Sequence, residues 1–163
     1  MIAPRDSVGQ RSETVRRSNL SAIVRELHLR GPLSRSDLVA HTGLTRSAIR
    51  GLIGELVAGG LVTEERSAPA GTPGRPSPLV RPEAHAAVVI ALEINVDSLA
   101  AACVGFGGKI HHLARVDRPR THVTVDEIVA DLVALAAPIL EATPQDEIVG
   151  IGVAVAGVVR RTD

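Results

Sequence analysis

The feature that most constrains this chain is a pair of helix-start signals separated by one glycine. Ser34 is followed three residues later by Asp37, a pattern in which a hydroxyl and a carboxylate cap the first turn of a helix reciprocally. Thr45 is a second capping residue, and Gly43 lies just before it at a position suited to a positive φ. Two short helices joined by a tight turn are therefore predicted over about residues 34–58.

The second of these helices has one apolar face and one polar face. Spacing of i, i+3, i+4 and i+7 predicts a buried stripe made of Ile49, Leu52, Ile53, Leu56 and Val57. Arg46, Ser47, Arg50 and Gly54 then point outward. An arginine on such a face can bind guanine through two hydrogen bonds or neutralise a phosphate, which favours the major groove of DNA as the partner. The competing interpretation is a solvated helix face.

Flanking elements complete a winged helix-turn-helix pattern. A first helix is predicted over residues 14–30, where Gly31-Pro32 stops it, and residues 1–13 are expected to form a loose tail. After Gly59-Gly60, residues 61–63 and 79–80 are predicted strands around a segment rich in Pro, Gly, Ala and Ser. Strand, loop and strand directly after the third helix predict a wing over residues 61–82.

Two further positions suit close contact with a duplex. Arg75 lies between Gly74 and Pro76, and an extended arginine can enter a narrow A·T-rich minor groove. The alternative for residues 67–78 is a flexible linker. Gly51 lacks a side chain and would let the helix backbone approach DNA, although it is also compatible with a mild helix weakness.

The net charge of zero hides two halves of opposite sign. Residues 1–82 carry 12 arginines and 7 acidic residues, whereas residues 83–163 carry 6 basic and 11 acidic residues. A basic half suits a polyanionic partner. The N-terminus has no apolar signal segment and no stretch is long enough to span a bilayer, so a cytoplasmic protein without a membrane role is expected. The single cysteine, Cys103, excludes an internal disulfide and is expected in the core.

The second half alternates strands with one helix. Apolar runs predict strands over residues 87–94, 99–106, 109–116 and 148–155, and helical spacing predicts a helix over residues 125–140. The fold class is therefore α+β. The last strand is uniformly apolar, which is typical of a strand buried on both faces, and it would expose an apolar surface if nothing covered it.

Several short sequences then occur in a characteristic order. They are Arg17-Ser18-Asn19, Gly31-Pro32-Leu33-Ser34-Arg35, Thr42-Gly43-Leu44-Thr45-Arg46, Gly59-Gly60-Leu61-Val62, Gly74-Arg75-Pro76, Leu92-Glu93-Ile94-Asn95 and Gly150-Ile151-Gly152-Val153-Ala154-Val155. Together they resemble the repressor branch of the ROK family (repressors, open reading frames and sugar kinases) over nearly the whole chain.

The resemblance implies a winged helix-turn-helix over residues 14–82 and the start of a sugar-kinase-like domain over residues 83–163. That domain is of the actin and hexokinase, or ribonuclease-H-like, type and opens with three strands, a helix and a strand. The resemblance also implies a sugar-responsive repressor of carbohydrate-metabolism genes that binds double-stranded DNA, in its full-length form as a dimer or tetramer. A sugar or sugar phosphate is the implied effector where the rest of the second domain is present. Family members are longer, so the chain is expected to be an N-terminal portion with an incomplete effector domain.

A sugar kinase of the same family is the alternative. Family kinases carry an Asp-x-Gly-Gly-Thr phosphate loop, and the matching positions here are Glu93, Asn95, Val96 and Asp97, which lack both glycines. The family's zinc site and catalytic base would lie beyond Asp163. His111 and His112 are adjacent on a predicted strand and point to opposite faces, a poor pair of metal ligands. No enzyme activity, cofactor or metal is therefore expected. The candidate DNA-contacting residues are Ser34, Arg35, Thr45, Arg46, Ser47, Arg50 and Arg75.

Overall fold

The computed structural model describes residues 8–65, 78–118 and 124–157, with side chains from Ser12 onward. The chain divides into two compact units, Met1–Glu83 and Ala84–Asp163. The first unit contains α1 (Val8–Arg30), β1 (Leu33–Ser34), α2 (Arg35–Thr42), α3 (Arg46–Ala58), β2 (Val62–Glu65) and β3 (Leu79–Pro82). The second contains β4 (Val88–Ile94), β5 (Ser98–Gly105), β6 (Ile110–Asp117), α4 (Val125–Ala142) and β7 (Ile148–Val155).

Helix α1 begins at Val8, so the predicted loose tail is wrong for residues 8–13. Apolar periodicity could not reveal this extension, because the added turns carry polar side chains. Glu13 forms ion pairs with Arg16 at 3.3 Å and with Arg17 at 3.3 Å. These contacts at i+3 and i+4 stabilise the exposed part of α1 around Glu13.

The two predicted caps are both present. Ser34 accepts a hydrogen bond from the Asp37 amide, and the Asp37 carboxylate accepts one from the Ser34 amide, which completes a capping box. Gly43 ends α2 with a φ of 70°, the left-handed conformation that glycine adopts without strain. Thr45 caps α3 by accepting a hydrogen bond from the Ala48 amide.

The core of the first unit joins all three helices to the sheet. Its fully buried side chains are Ile23, Leu27, Leu38, Ile49, Ile53, Val62 and Val80. Leu52 and Leu56 are also buried, as predicted. The prediction for Val57 is wrong, because its side chain is 41% exposed. Successive residues of a helix are about 100° apart around its axis, so Val57 lies to one side of the buried stripe that contains Leu56.

A three-stranded sheet in the order β1-β3-β2 carries the wing. Both contacts of β3 are antiparallel, with Leu33 opposite Val80 and Glu64 also opposite Val80. Strand β1 was not predicted, since two residues between a proline and the start of a helix give no periodic signal. This strand ties the start of α2 to the return strand of the wing.

The second unit has the predicted order of three strands, a helix and a strand. Its sheet runs β6-β5-β4-β7, antiparallel except for the parallel pair β4 and β7. Helix α4 covers one face, and the core it forms there contains Val88, Ile90, Ala101, Cys103, Ala136 and Ile139. Cys103 is buried, as predicted. At the sheet edge, β7 leaves Val149, Ile151, Val153 and Val155 exposed.

Candidate nucleic-acid interface

The outward face of α3 is the candidate DNA-reading surface. Thr45 fixes the first turn, and four buried aliphatic side chains fix the rotation of the helix about its axis. Arg46, Ser47, Arg50 and Gly54 are consequently exposed, as the sequence predicts. Arg46 and Arg50 are separated by four residues, so both project from the same side of the helix, about one turn apart.

Of the eight arginines whose side chains the structure describes in this unit, Arg25, Arg46 and Arg50 have no carboxylate partner, and only Arg46 and Arg50 lie on α3. Five others are paired with glutamates: Arg16 with Glu55, Arg17 with Glu13, Arg30 with Glu26, Arg35 with Glu64 and Arg81 with Glu65. Within residues 8–65 and 78–118, neither Arg46 nor Arg50 forms such an ion pair. Two unneutralised guanidinium groups therefore lie together on the exposed face of α3, where an anion can reach them.

Two glycines also lie on this exposed face. A Cβ added at Gly51 or at Gly54 would meet no atom within 4 Å. Glycine in a helix interior is less favourable than alanine by about 1 kcal/mol, and packing within the described protein gives no reason for it here. Their absent side chains leave the backbone of α3 open to close approach from outside.

Ser34, Thr45 and Ser47 use their hydroxyl groups within the protein. The Ser34 hydroxyl lies 2.7 Å from an Asp37 carboxylate oxygen, and the Thr45 and Ser47 hydroxyls are 3.0 Å apart. Hydrogen bonds from the Ser34 hydroxyl and then from its backbone amide hold the pKa of the Asp37 carboxyl below its usual value. These residues shape the two helix N-termini, positions at which backbone amides favour phosphate.

Arg35 is placed differently from Arg46 and Arg50. Its Nε and Nη2 atoms each lie 2.6 Å from one oxygen of the Glu64 carboxylate. No local pattern predicts this pair, because the two residues are 29 positions apart and the partner depends on where β2 runs. Arg75 lies outside the described residues.

The turn between β4 and β5 contains the positions that resemble a phosphate loop. The Asn95 amide donates to the Ser98 carbonyl at 2.9 Å, and the Arg118 amide donates to the Asp97 carbonyl at 2.7 Å. Val96 is 66% exposed, and Glu93 and Asp97 place two exposed carboxylates near this turn. This turn therefore has neither the glycines nor the neutral charge of the backbone turns that bind phosphate.

Two histidines of the second unit, His85 and His111, lie in contact with each other. The His111 Nε2 atom lies 3.2 Å from the Ala84 carbonyl oxygen, and the His85 and His111 ring centroids are 4.1 Å apart. The His85 Nδ1 atom lies 3.4 Å from a Glu147 carboxylate oxygen. His112 is exposed, which leaves the neighbouring histidines on different faces. Among the described residues, no three His, Cys, Asp or Glu side chains are arranged to hold a metal ion.

None of the described helices combines the length and the apolar character needed to cross a bilayer. No curated protein sequence matches the chain. A family model does: residues 21–71 match the model of the MarR family. This match covers part of α1 and all of β1, α2, α3 and β2, and so includes the helix whose outward face is the candidate interface.

One solved structure is similar over most of the chain. It is a ROK family transcriptional regulator described as a homolog of the E. coli MLC protein, with a TM-score of 0.53 and 19% sequence identity. The alignment covers 89% of this chain and 37% of the regulator, so the chain spans well under half of that protein's length. Residues 21–71 are thus similar to the MarR family, and the chain shares the fold of the corresponding part of a ROK family transcriptional regulator.

Proposed function

We propose that this protein is a sequence-specific DNA-binding transcriptional regulator of the ROK family. The observation that carries the proposal is the pair of unneutralised arginines, Arg46 and Arg50, on the exposed face of a capped helix in a winged helix-turn-helix. A helix of this type enters the major groove with its N-terminal residues facing the bases. Arg46 is the first residue of α3 and Arg50 lies one turn later, so both occupy the reading end.

The charge distribution supports this assignment. Residues 1–82 carry 12 arginines against 7 acidic residues. Because glutamates already pair with five of the described arginines, the remaining positive charge is concentrated on fewer side chains. Such a surface attracts the phosphate backbone and makes binding depend strongly on salt.

The wing is proposed to add a second contact. Arg75, in the segment between β2 and β3, would reach the minor groove, where A·T-rich sequence narrows the groove and raises its negative potential. Arg75→Ala should then weaken binding most at operators with A·T-rich flanks. A uniform loss across all flanking sequences would contradict this role.

A titration of the whole chain with duplex promoter DNA at low salt tests the DNA-binding function. We expect binding that weakens as salt rises, and a loss of about tenfold to a hundredfold in affinity for each of Arg46→Ala and Arg50→Ala. Arg115→Ala and Lys109→Ala remove the same charge from β6 and from the loop before it, and they are the matched controls. Equal losses from all four variants, or no binding by the wild type, would reject the assignment.

The finer role is a sugar-responsive repressor of carbohydrate-metabolism genes that works as a homodimer in the cytoplasm. It rests on the family resemblance and on the order of three strands, a helix and a strand in the second unit, which the resemblance implies for the start of a sugar-kinase-type domain. The chain is proposed to act without catalysis and without a metal or other cofactor.

The test combines a reporter gene behind the bound promoter with a panel of sugars and sugar phosphates. Increased expression on removing the protein supports repression, whereas hexose-dependent ATP turnover would contradict a non-enzymatic role.

A further inference from the structure

The ion pair between Arg35 and Glu64 crosses the wing sheet. Glu64 on β2 is opposite Val80 on the central strand β3, and Val80 is opposite Leu33 on β1. Arg35 lies two residues beyond Leu33, as the first residue of α2. Its side chain therefore spans from the start of α2, past β3, to the outer strand β2.

This contact is the most enclosed arginine–carboxylate pair described in the first unit. Its two side chains are 26% and 25% exposed, whereas the Arg81–Glu65 pair on the neighbouring strands is 44% and 58% exposed. Both contacts in the Arg35–Glu64 pair are 2.6 Å, with two guanidinium nitrogens on two carboxylate oxygens. Such bidentate pairs are stronger and more specific in geometry than single contacts.

Arg35 also holds β3 through its backbone. Its amide donates to the Pro78 carbonyl oxygen at 3.4 Å, one residue before β3 begins. The Arg35 side chain thus contacts β2, the strand that leads into the wing segment, and its amide contacts Pro78, immediately before the returning strand β3. Glu64 neutralises the guanidinium, so Arg35 in this arrangement offers little attraction to a phosphate.

We infer that Arg35 is a positioning residue, which with Glu64 fixes both wing strands against the start of α2, and that it supports DNA binding by position rather than by contact. Only the second part of this inference, that Arg35 supports DNA binding, rests on the proposed DNA-binding function. The two possible roles of Arg35 predict opposite results when Glu64 loses its charge. A phosphate-binding Arg35 would be released and would bind DNA more tightly, whereas a positioning Arg35 would lose the geometry of the wing.

The test measures Glu64→Gln in the full chain with two readouts. The first is amide hydrogen exchange of the free protein, in which β2 and β3 should exchange about tenfold faster while the amides of Ile53 and Leu56 in α3 are unchanged. The second is duplex DNA affinity, which should fall about fivefold to twentyfold despite the added positive charge. Glu65→Gln is the matched control, because it makes the same change of charge one residue away in an exposed pair and should not weaken binding.

Exchanging the two residues separates geometry from charge. The double variant Arg35→Glu with Glu64→Arg should recover affinity to within about threefold of the wild type, because the pair is restored in reverse. Unchanged or tighter DNA binding by Glu64→Gln would overturn the positioning role in binding, and unchanged exchange in β2 and β3 would overturn the fixing of the strands. If the wild type failed to bind DNA, the proposed function would fail, while the exchange experiment would still decide whether the pair holds the wing.

Discussion

Arg16 on α1 and Glu55 on α3 form a two-point ion pair, with 2.8 Å between Nη2 and Oε2 and 3.2 Å between Nε and Oε1. The hydrogen bond to Glu55, followed by its charge, raises the pKa of the Arg16 guanidinium above its usual value. Glu55 lies five residues after Arg50, about 140° around the helix. The pair therefore anchors one flank of α3 to α1 and leaves the flank with Arg46 and Arg50 exposed.

Arg16→Met tests how much this anchor contributes to stability. Both side chains are at least 38% exposed, so solvent screens their attraction, and we expect Tm to fall by less than about 5 °C. The difference from the wild type should disappear near 1 M salt, where the Debye length is about 3 Å. Thermal unfolding followed by circular dichroism at low and high salt measures this. A loss that persists at high salt would show that Arg16 stabilises the helix pair by packing instead.

Arg46 and Arg50 can be distinguished by the kind of contact each makes. An arginine that reads guanine should, when replaced by alanine, relax specificity at one operator position. An arginine that neutralises phosphate should weaken binding equally at all sequences and lower the slope of log affinity against log salt by about 1. Binding selection from a randomised duplex library, combined with salt titrations of each variant, assigns one role to each residue. If Arg46→Ala and Arg50→Ala both bind DNA with the same affinity and specificity as the Arg115→Ala control, α3 is excluded as the reading helix.

Gly51→Ala is expected to change stability and DNA affinity in opposite directions. The added Cβ meets open space, and alanine is the better helix former, so the free energy of unfolding should rise by about 0.5–1 kcal/mol. If DNA approaches the backbone of α3 closely, the same methyl group should weaken binding. Gly152→Ala is the control, because that site in β7 is also open but lies in the second unit. Urea unfolding and a DNA titration of both variants give the comparison, and unchanged affinity for Gly51→Ala would place the DNA elsewhere.

Local signals in the sequence were sufficient for the helices and their caps. A capping residue, a glycine with positive φ and an apolar stripe each act within a few positions, so Ser34, Gly43 and Thr45 could be assigned correctly. The same signals failed at the edges of elements. The start of α1 at Val8 lies in a segment without an apolar stripe, and β1 is too short to carry a pattern.

Which side chains form ion pairs with one another could not be predicted from the sequence. Nothing near Arg35 indicates Glu64, because the pair forms only after β2 and β3 have returned beside α2. The exposed positions of Arg46 and Arg50 could be predicted from helix geometry, but their lack of partners could not. Which arginines are neutralised depends on where five glutamates lie after folding, and that property separates a candidate DNA contact from a structural ion pair.

Ser34→Ala removes the capping box of α2. The variant loses the acceptor for the Asp37 amide and should lower the free energy of unfolding by about 1 kcal/mol. Ser36→Ala, on the exposed side of the same helix, is the control and should not destabilise the protein. Urea unfolding measures both, and equal stability of the two variants would show that the cap is replaced by water.

The Asp37 carboxylate gives this cap a pH dependence. Because the folded pKa lies below the ordinary value of 3.8, the contribution of Asp37 to stability is fully present above that value and is lost as pH falls through the folded pKa. Asp37→Asn should flatten this part of the acid-side decline while leaving the rest, which arises from other carboxylates. Urea midpoints measured from about pH 6 to about pH 2 test the sign. A variant whose acid-side decline is as steep as that of the wild type would contradict the assignment.

Gly105→Ala should destabilise the second unit for a steric reason. Gly105 ends β5, and a Cβ there would overlap the Ala84 carbonyl and crowd the His111 ring. The backbone of Gly105 does not have a positive φ, so the need for glycine comes from this close approach alone. We expect a loss of about 1–3 kcal/mol in the free energy of unfolding, typical of overpacking.

Gly152→Ala, where the added atom meets nothing, is again the matched control. Faster hydrogen exchange in β4 and β5, with α3 unchanged, would locate the damage in this unit. Unaltered exchange would mean that the segment around Ala84 moves away at little cost, and that the contact between the Ala84 carbonyl and His111 does not hold it on the sheet.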